Sequence, residues 1–160
     1  MYRTDRDEQV SRLVGIAAGV LLFGVAALAG QSALAKSGSG CSGSGGYYMH
    51  AQAAQGTKVF NANCSSCHGA NLKGNAGPPL TGKQFKSYLN FSKISGPQLL
   101  DFITSQMPYN NPGSLKQSQY LAALAHIFQT DGYPSGNKPL TKARLKCLKL
   151  LPYPNSGNGD

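Results

Sequence analysis

Cys64-Ser65-Ser66-Cys67-His68 is the stretch on which the reading of this chain turns. Residues three apart on a helix lie close to one turn from each other, so the two thiols stand at a spacing that suits addition to the two vinyl groups along one porphyrin edge. The adjacent imidazole then reaches the metal from the same side. The thiols become thioethers, which hold the macrocycle without ligating the metal. Cys64 and Cys67 are therefore expected to carry one covalent haem c, with His68 on its iron. Two other chemistries use such a pair. Zinc needs further thiol or imidazole ligands, and the remaining cysteines, Cys41 and Cys147, stand alone instead of forming a second pair. A thioredoxin-like dithiol needs alternating strands and helices, a pattern this chain lacks.

A second axial ligand must come from elsewhere, and Met107 is the best placed because Pro108 follows it. A residue before proline is pushed out of helical geometry, so the side chain leaves the end of a helix and is free to point into a cavity. A thioether on the iron favours the ferrous state. The alternative at this point is that Met107 fills the core. His126 falls about two residues off an apolar stripe and reads as a surface histidine. Met49 and His50 read as packing or rim residues at the start of a helix.

Four helices are predicted beyond Tyr47. The first covers residues 50–63, with Ala51, Ala54, Val59 and Phe60 as an imperfect apolar face. The second follows Ser95-Gly96-Pro97, where proline suits a helix start, and places Leu99, Phe102 and Ile103 on one side. The third begins after Ser114 as N-cap and carries Leu121, Leu124, Ala125 and Phe128. The fourth runs from Thr141 to about Leu151, ahead of Pro152. Between the first two, residues 69–93 form a Gly/Pro-rich connection with no strand pattern, long enough that it must wrap around something.

Upstream, residues 13–35 contain no charge and are apolar through most of their length. Arg3, Arg6 and Arg12 keep the N-terminus cytoplasmic, and Ala33-Leu34-Ala35 is a small-x-small cleavage site. The segment directs export either as a signal peptide, leaving a soluble periplasmic protein, or as a retained anchor long enough to span a bilayer from the periplasmic side of the inner membrane. The following Gly/Ser run is a flexible tether by composition. The expected organisation is thus signal peptide or anchor at 1–35, tether at 36–47, helical domain at 48–133 and a C-terminal extension with a short helix at 134–160.

The chain has 160 residues, a formal net charge of +9, 20 glycines, 9 prolines and no tryptophan. One modest core is expected, which a large prosthetic group would complete. Asp5, Asp7 and Glu8 precede the apolar segment, leaving Asp101, Asp131 and Asp160 as the acids after it. The exported part is therefore basic. Its lysines are scattered and lack the aromatic interleaving of a nucleic-acid surface, so acidic proteins are the expected partners, with no nucleic acid and no small-molecule substrate.

In order along the chain, Gly56, Phe60, Cys64-Ser65-Ser66-Cys67-His68-Gly69, Leu72-Lys73-Gly74, Gly77-Pro78-Pro79-Leu80, Met107-Pro108, Pro112-Gly113-Ser114-Leu115 and Tyr120-Leu121 resemble the landmarks of the monohaem, class I cytochrome c family. The likeness spans about Gly56 to Thr130. It implies an all-α, cytochrome c-like helical domain around one covalent haem, here preceded by the N-terminal hydrophobic helix. It further implies His68 and Met107 as axial ligands, with the Pro78 carbonyl accepting a hydrogen bond from the other ring nitrogen of His68. A crossing of the first and last core helices at Gly56 against Tyr120 is also implied. The resemblance points to a one-electron carrier and not an enzyme. Its lysines, among them Lys73, Lys83 and Lys86, would steer it to a cytochrome bc complex, a terminal oxidase or a periplasmic dehydrogenase. A haem subunit fixed in such a complex by residues 13–35 is the alternative. Both ends depart from the family, and each carries one of the two extra cysteines. A Cys41–Cys147 disulfide is expected in an oxidising compartment, worth about 4 to 5 kcal/mol by chain entropy for loops near 100 residues.

Overall fold

A computed structural model describes residues 45–154. The expected N-terminal segment at 1–35, most of the tether and Cys41 lie outside the described residues. Helices dominate: α1 (His50–Asn63), α2 (Ser65–His68), α3 (Gly82–Ser92), α4 (Gly96–Gln106), α5 (Gln117–Thr130) and α6 (Lys142–Leu145). Among the described residues the extended pairing amounts to one parallel bridge, between Tyr48 and Ser135. The all-α reading holds.

The central feature is the packing of α1 on α5. α1 buries Ala53, Gly56 and Phe60, a stripe at helical spacing that shares only Phe60 with the face expected from the sequence. Ala51 and Ala54 are exposed. The difference follows from Gly56, whose open side lies against the backbone of α5. A Cβ built there would stand 1.8 Å from the Ala122 carbonyl oxygen and 3.0 Å from His126 Cβ. Only a residue without a side chain lets the helices approach so closely. The partner across the crossing is thus Ala122 with His126, whereas Tyr120 serves elsewhere.

α5 is apolar on nearly every side, as expected of a helix enclosed by its neighbours. It buries Tyr120, Leu121, Ala122, Ala123, Leu124, Ala125, Ile127 and Phe128. His126, expected on the solvated side, instead packs edge-on against Phe60 with ring centroids 5.4 Å apart. Its Nδ1 lies 3.1 Å from Thr57 Oγ1, and burial lowers its pKa. The α5 N-cap is Lys116, two residues past the expected Ser114, and its N–H donates to Gln119 Oε1 at 2.9 Å.

α4 begins as predicted. The Ser95 N–H donates to Gln98 Oε1 at 2.9 Å and the Gln98 N–H to Ser95 Oγ at 3.4 Å, a reciprocal capping box. Its buried residues are Gly96, Leu99 and Leu100. Phe102, expected inside, is 45% exposed.

Two elements depart from the sequence reading. α3 occupies the second half of the connection at 69–93 and buries Phe85 and Leu89, one turn apart. The expected C-terminal helix of about eleven residues is a single turn, α6, capped by Thr141 Oγ1 on the Arg144 N–H at 3.2 Å. Beyond it the chain becomes a strap. The Tyr47 hydroxyl donates to the Lys149 carbonyl, and that of Tyr133 to the Leu150 carbonyl at 2.7 Å. Leu140, Leu145, Leu150 and Tyr153 join the main core. The segment at and just before α6 meets the start of the domain, through Arg144 Nη2 on the Gly46 carbonyl at 2.8 Å and Gln52 bonded in both directions to Leu140.

Candidate functional site

The junction of α1 and α2 positions the Cys-x-x-Cys-His residues. α1 ends with the Cys64 N–H on the Phe60 carbonyl, and a new turn starts at once, with the Cys67 N–H at 3.2 Å and the His68 N–H at 2.9 Å from the Cys64 carbonyl. This one-turn helix is what sets both thiols and the imidazole on a common side. Cys64 and Cys67 are free thiols, not joined to each other. Burial, reinforced by the neighbouring Cys67, pushes the Cys64 thiol up to about 11. Cys64 is half-buried and Cys67 exposed.

The connection that follows folds back onto the junction. The Gly74 N–H donates to the His68 carbonyl and the Gly77 N–H to the Cys67 carbonyl, both at 2.8 Å, while Leu80 bonds back to Leu72. Asn75 Nδ2 reaches the Ser66 carbonyl at 3.1 Å. Gly77 lies flat against the histidine: a Cβ there would come within 3.2 Å of His68 Cε1 and Nδ1 and within 3.3 Å of Cys67 Cβ. The loop thus clamps the imidazole ring from one side.

His68 is buried, 8% exposed, and its Nδ1 lies 2.8 Å from the Pro78 carbonyl oxygen. A carbonyl can only accept, so Nδ1 carries the proton, and in the neutral ring Nε2 keeps the lone pair. That is the tautomer a metal-ligating histidine requires, with the second bond fixing ring orientation and raising basicity. Unlinked thiols one turn apart, a buried imidazole with Nε2 as the open donor and a loop that locks its plane together fit a covalently attached haem. Among the described residues neither rival chemistry has its requirements met. No group of three or more His, Cys, Asp or Glu able to hold a metal ion occurs among the described residues, and no alternating strands accompany the dithiol.

The model of the family described as cytochrome C oxidase, cbb3-type, subunit III matches residues 51–127. Residues 51–127 form a monohaem c-type cytochrome domain. No curated protein and no solved structure matches alongside it. The cytochrome domain implies one covalently bound haem c with its iron, and haem-based electron transfer as its activity. The match begins one residue into α1 and ends within α5, the two helices whose crossing frames the haem-attachment segment.

Of the five residues singled out in the cytochrome sequence, Cys64, Cys67, His68 and Pro78 are gathered by direct contacts. Met107 stands on a separate segment. It caps α4 with extended backbone angles, φ −124° and ψ 153°, as expected of a residue before proline, and it is half-buried. Its carbonyl accepts the Tyr120 hydroxyl at 2.7 Å and the Gly113 N–H at 3.3 Å. Two contributors escaped the sequence reading. Gly77 stands in the sequence only as a family landmark, and its role against His68 depends on a fold-back that no periodicity announces. The Tyr120 bond to Met107 joins two segments thirteen residues apart, and an aromatic at a helix start carries no local signal for it. Met49 is half-buried and His50 exposed, with His50 Nε2 2.8 Å from Ser135 Oγ.

Proposed function

We propose that this cytochrome is a one-electron carrier on the periplasmic side of the inner membrane, with iron held between His68 Nε2 and the Met107 thioether, and that it performs no substrate chemistry. The bound haem supplies the ferric–ferrous change. The chain's own residues attach it, orient one ligand through Pro78 and keep the other at the end of α4. The 2.8 Å bond from His68 Nδ1 to the Pro78 carbonyl carries this reading, because it leaves the imidazole in the one tautomer that can donate outward from Nε2. Met107 is supported by its extended backbone, which takes its side chain off the helix face, and by the intact family landmark Met107-Pro108.

Acidic redox proteins are the proposed partners, since Asp101 is the single exposed acid among the described residues. No helix among those residues is long and apolar enough to cross a membrane; the anchor proposed from the sequence is the uncharged segment 13–35. The matched family's description names an oxidase subunit. That favours a second reading, in which the domain is a fixed haem subunit of a terminal oxidase complex. We also propose the Cys41–Cys147 disulfide: Arg144 bonds the Gly46 carbonyl at 2.8 Å, which brings the chain leading from Cys41 close to the segment bearing Cys147.

Native protein from an expressing strain tests these points together. Intact mass should equal the chain plus one haem, less two hydrogens if the disulfide is present, and the ferric protein should show the far-red iron–thioether band. Met107→Ala should abolish that band while leaving haem attached. A wild-type protein that binds carbon monoxide rapidly and lacks the band would defeat the His68/Met107 carrier reading. Alkaline washing separates the two settings, since a chain beginning near Lys36 is released and an intact one is retained.

A further inference from the structure

Tyr120 is 3% exposed, yet its hydroxyl is committed to the backbone of the segment that carries Met107. It donates to the Met107 carbonyl at 2.7 Å and accepts the Leu115 N–H at 3.4 Å. These are the two ends of one loop. Within it the Asn111 N–H bonds the Pro108 carbonyl at 2.8 Å, and the Gly113 N–H reaches the Met107 carbonyl at 3.3 Å. The loop is otherwise mostly exposed, with Tyr109 85% exposed two residues from Met107. It has few apolar contacts of its own to hold it shut. α5, by contrast, is buried along most of its length and packed on α1, so a hydroxyl borne on α5 is a fixed point from which an exposed loop can be held.

The chemistry of the bond matters because it is made to the carbonyl of Met107 itself. Holding that carbonyl fixes the ψ of Met107 and the direction in which the chain leaves α4, and so where its side chain is carried. We propose that Tyr120 is a positioning residue for the methionine ligand: its hydroxyl clasps both ends of the 107–115 loop, and this clasp sets how fast the Met107 side of the iron opens. The inference rests on Met107 being a ligand and adds the residue that governs its release. Tyr120 acts only through the backbone of Met107 and Leu115.

The test uses the oxidised, haem-loaded full chain and compares wild type, Tyr120→Phe and Tyr133→Phe. The last removes a different buried hydroxyl, bonded to the Leu150 carbonyl at 2.7 Å and remote in sequence from the loop. Cyanide capture by the ferric protein, followed by stopped flow, reports methionine release. Tyr120→Phe should retain the far-red iron–thioether band and capture cyanide about five- to tenfold faster, the factor lost with one ordinary hydrogen bond. Tyr133→Phe should lower thermal stability and leave the capture rate unchanged. If Tyr120→Phe does not accumulate, Tyr120→Leu takes its place with the same expectation. Unchanged capture in the Tyr120 variant, or equal acceleration in Tyr133→Phe, overturns the clasp and leaves the Met107 reading intact. A wild type without the band overturns that reading, and the clasp with it.

Discussion

Asp131, at the C-terminal end of α5, is fully enclosed. Burial raises its carboxyl to about 6, against the downward pull of the Thr81 and Tyr153 hydroxyls beside it. The phenols of Tyr133 and Tyr153 face the same acid, and burial with the Asp131 charge pushes both upward. An acid whose folded pKa exceeds its unfolded one binds more protons when folded, so its contribution falls as pH rises between the two values. From the ordinary 3.8 to about 6, the charged carboxylate therefore erodes stability, and above about 6 the full penalty is present. A separation of this size corresponds to about 3 kcal/mol, an upper figure because the polar neighbours relax around the charge. Asp131→Asn keeps the shape and removes the charge. Unfolding of the haem-loaded variant should show it more stable than wild type by about 1–3 kcal/mol at pH 8, with the advantage shrinking as pH falls through 6 toward 4. Parallel stability curves across that range would show that the carboxylate is already accommodated.

At the level of elements, the α1–α5 crossing depends on one missing side chain. The virtual Cβ of Gly56 sits 1.8 Å from the Ala122 carbonyl oxygen, a backbone atom that cannot rotate away, so any side chain must separate the helices. Gly56→Ala should cost about 2 kcal/mol and Gly56→Val more, read as a lower denaturant midpoint at unchanged slope. The loss should be accompanied by weaker packing of Phe60 on His126. The same crossing explains what could be read from the sequence. The bounds of α1 and the capped start of α4 were legible because local spacing and capping chemistry decide them. The buried stripe of α1 was not, because a glycine counts as polar or neutral in any apolar pattern yet here marks the tightest contact. His126 was misplaced for the complementary reason: a histidine reads as solvated, but the close approach at Gly56 brings His126 against α1, where its ring packs on Phe60 and its Nδ1 meets Thr57 Oγ1. α3 was hidden because Phe85 and Leu89 are its only buried residues and the neighbouring Phe91, 91% exposed, blurs their spacing. The C-terminal helix was overextended because Leu145, Leu148 and Leu151 repeat at helical intervals, whereas tyrosine hydroxyls from residues 47 and 133 hold the strap open. In the site, Cys64, Cys67, His68 and the acceptor Pro78 were legible from an ordered motif. The Tyr120 bond to Met107 was not, since it exists only once the loop has closed on α5.

Across the whole molecule, charge is the property that bears on how the haem exchanges electrons. Asp101 and Asp131 are the acids between residues 45 and 154. Asp131 is enclosed, and Asp101 is paired with Lys142 at 3.4 Å with both side chains largely exposed. Lys73, on the loop that clamps His68, and Lys83 and Lys86, on α3, are exposed. Among the described residues the surface charge is therefore predominantly positive, and such a field accelerates oppositely charged partners. At physiological ionic strength that reach is only about 8 Å, so the sign of the charge close to the electron-exchange edge dominates. Two small reagents read that sign without knowledge of the natural partner. Oxidation of the ferrous protein by hexacyanoferrate(III), an anion, should slow by about tenfold as ionic strength rises from roughly 10 to 200 mM. Oxidation by a cationic cobalt(III) amine complex should quicken over the same range. Opposite slopes for the two reagents require a positive field at the edge itself, because a charge confined to the far side of the domain would be screened before either reagent arrived. Slopes that are flat for both would remove the physical basis for an acidic partner, and the lysines would then serve solubility alone.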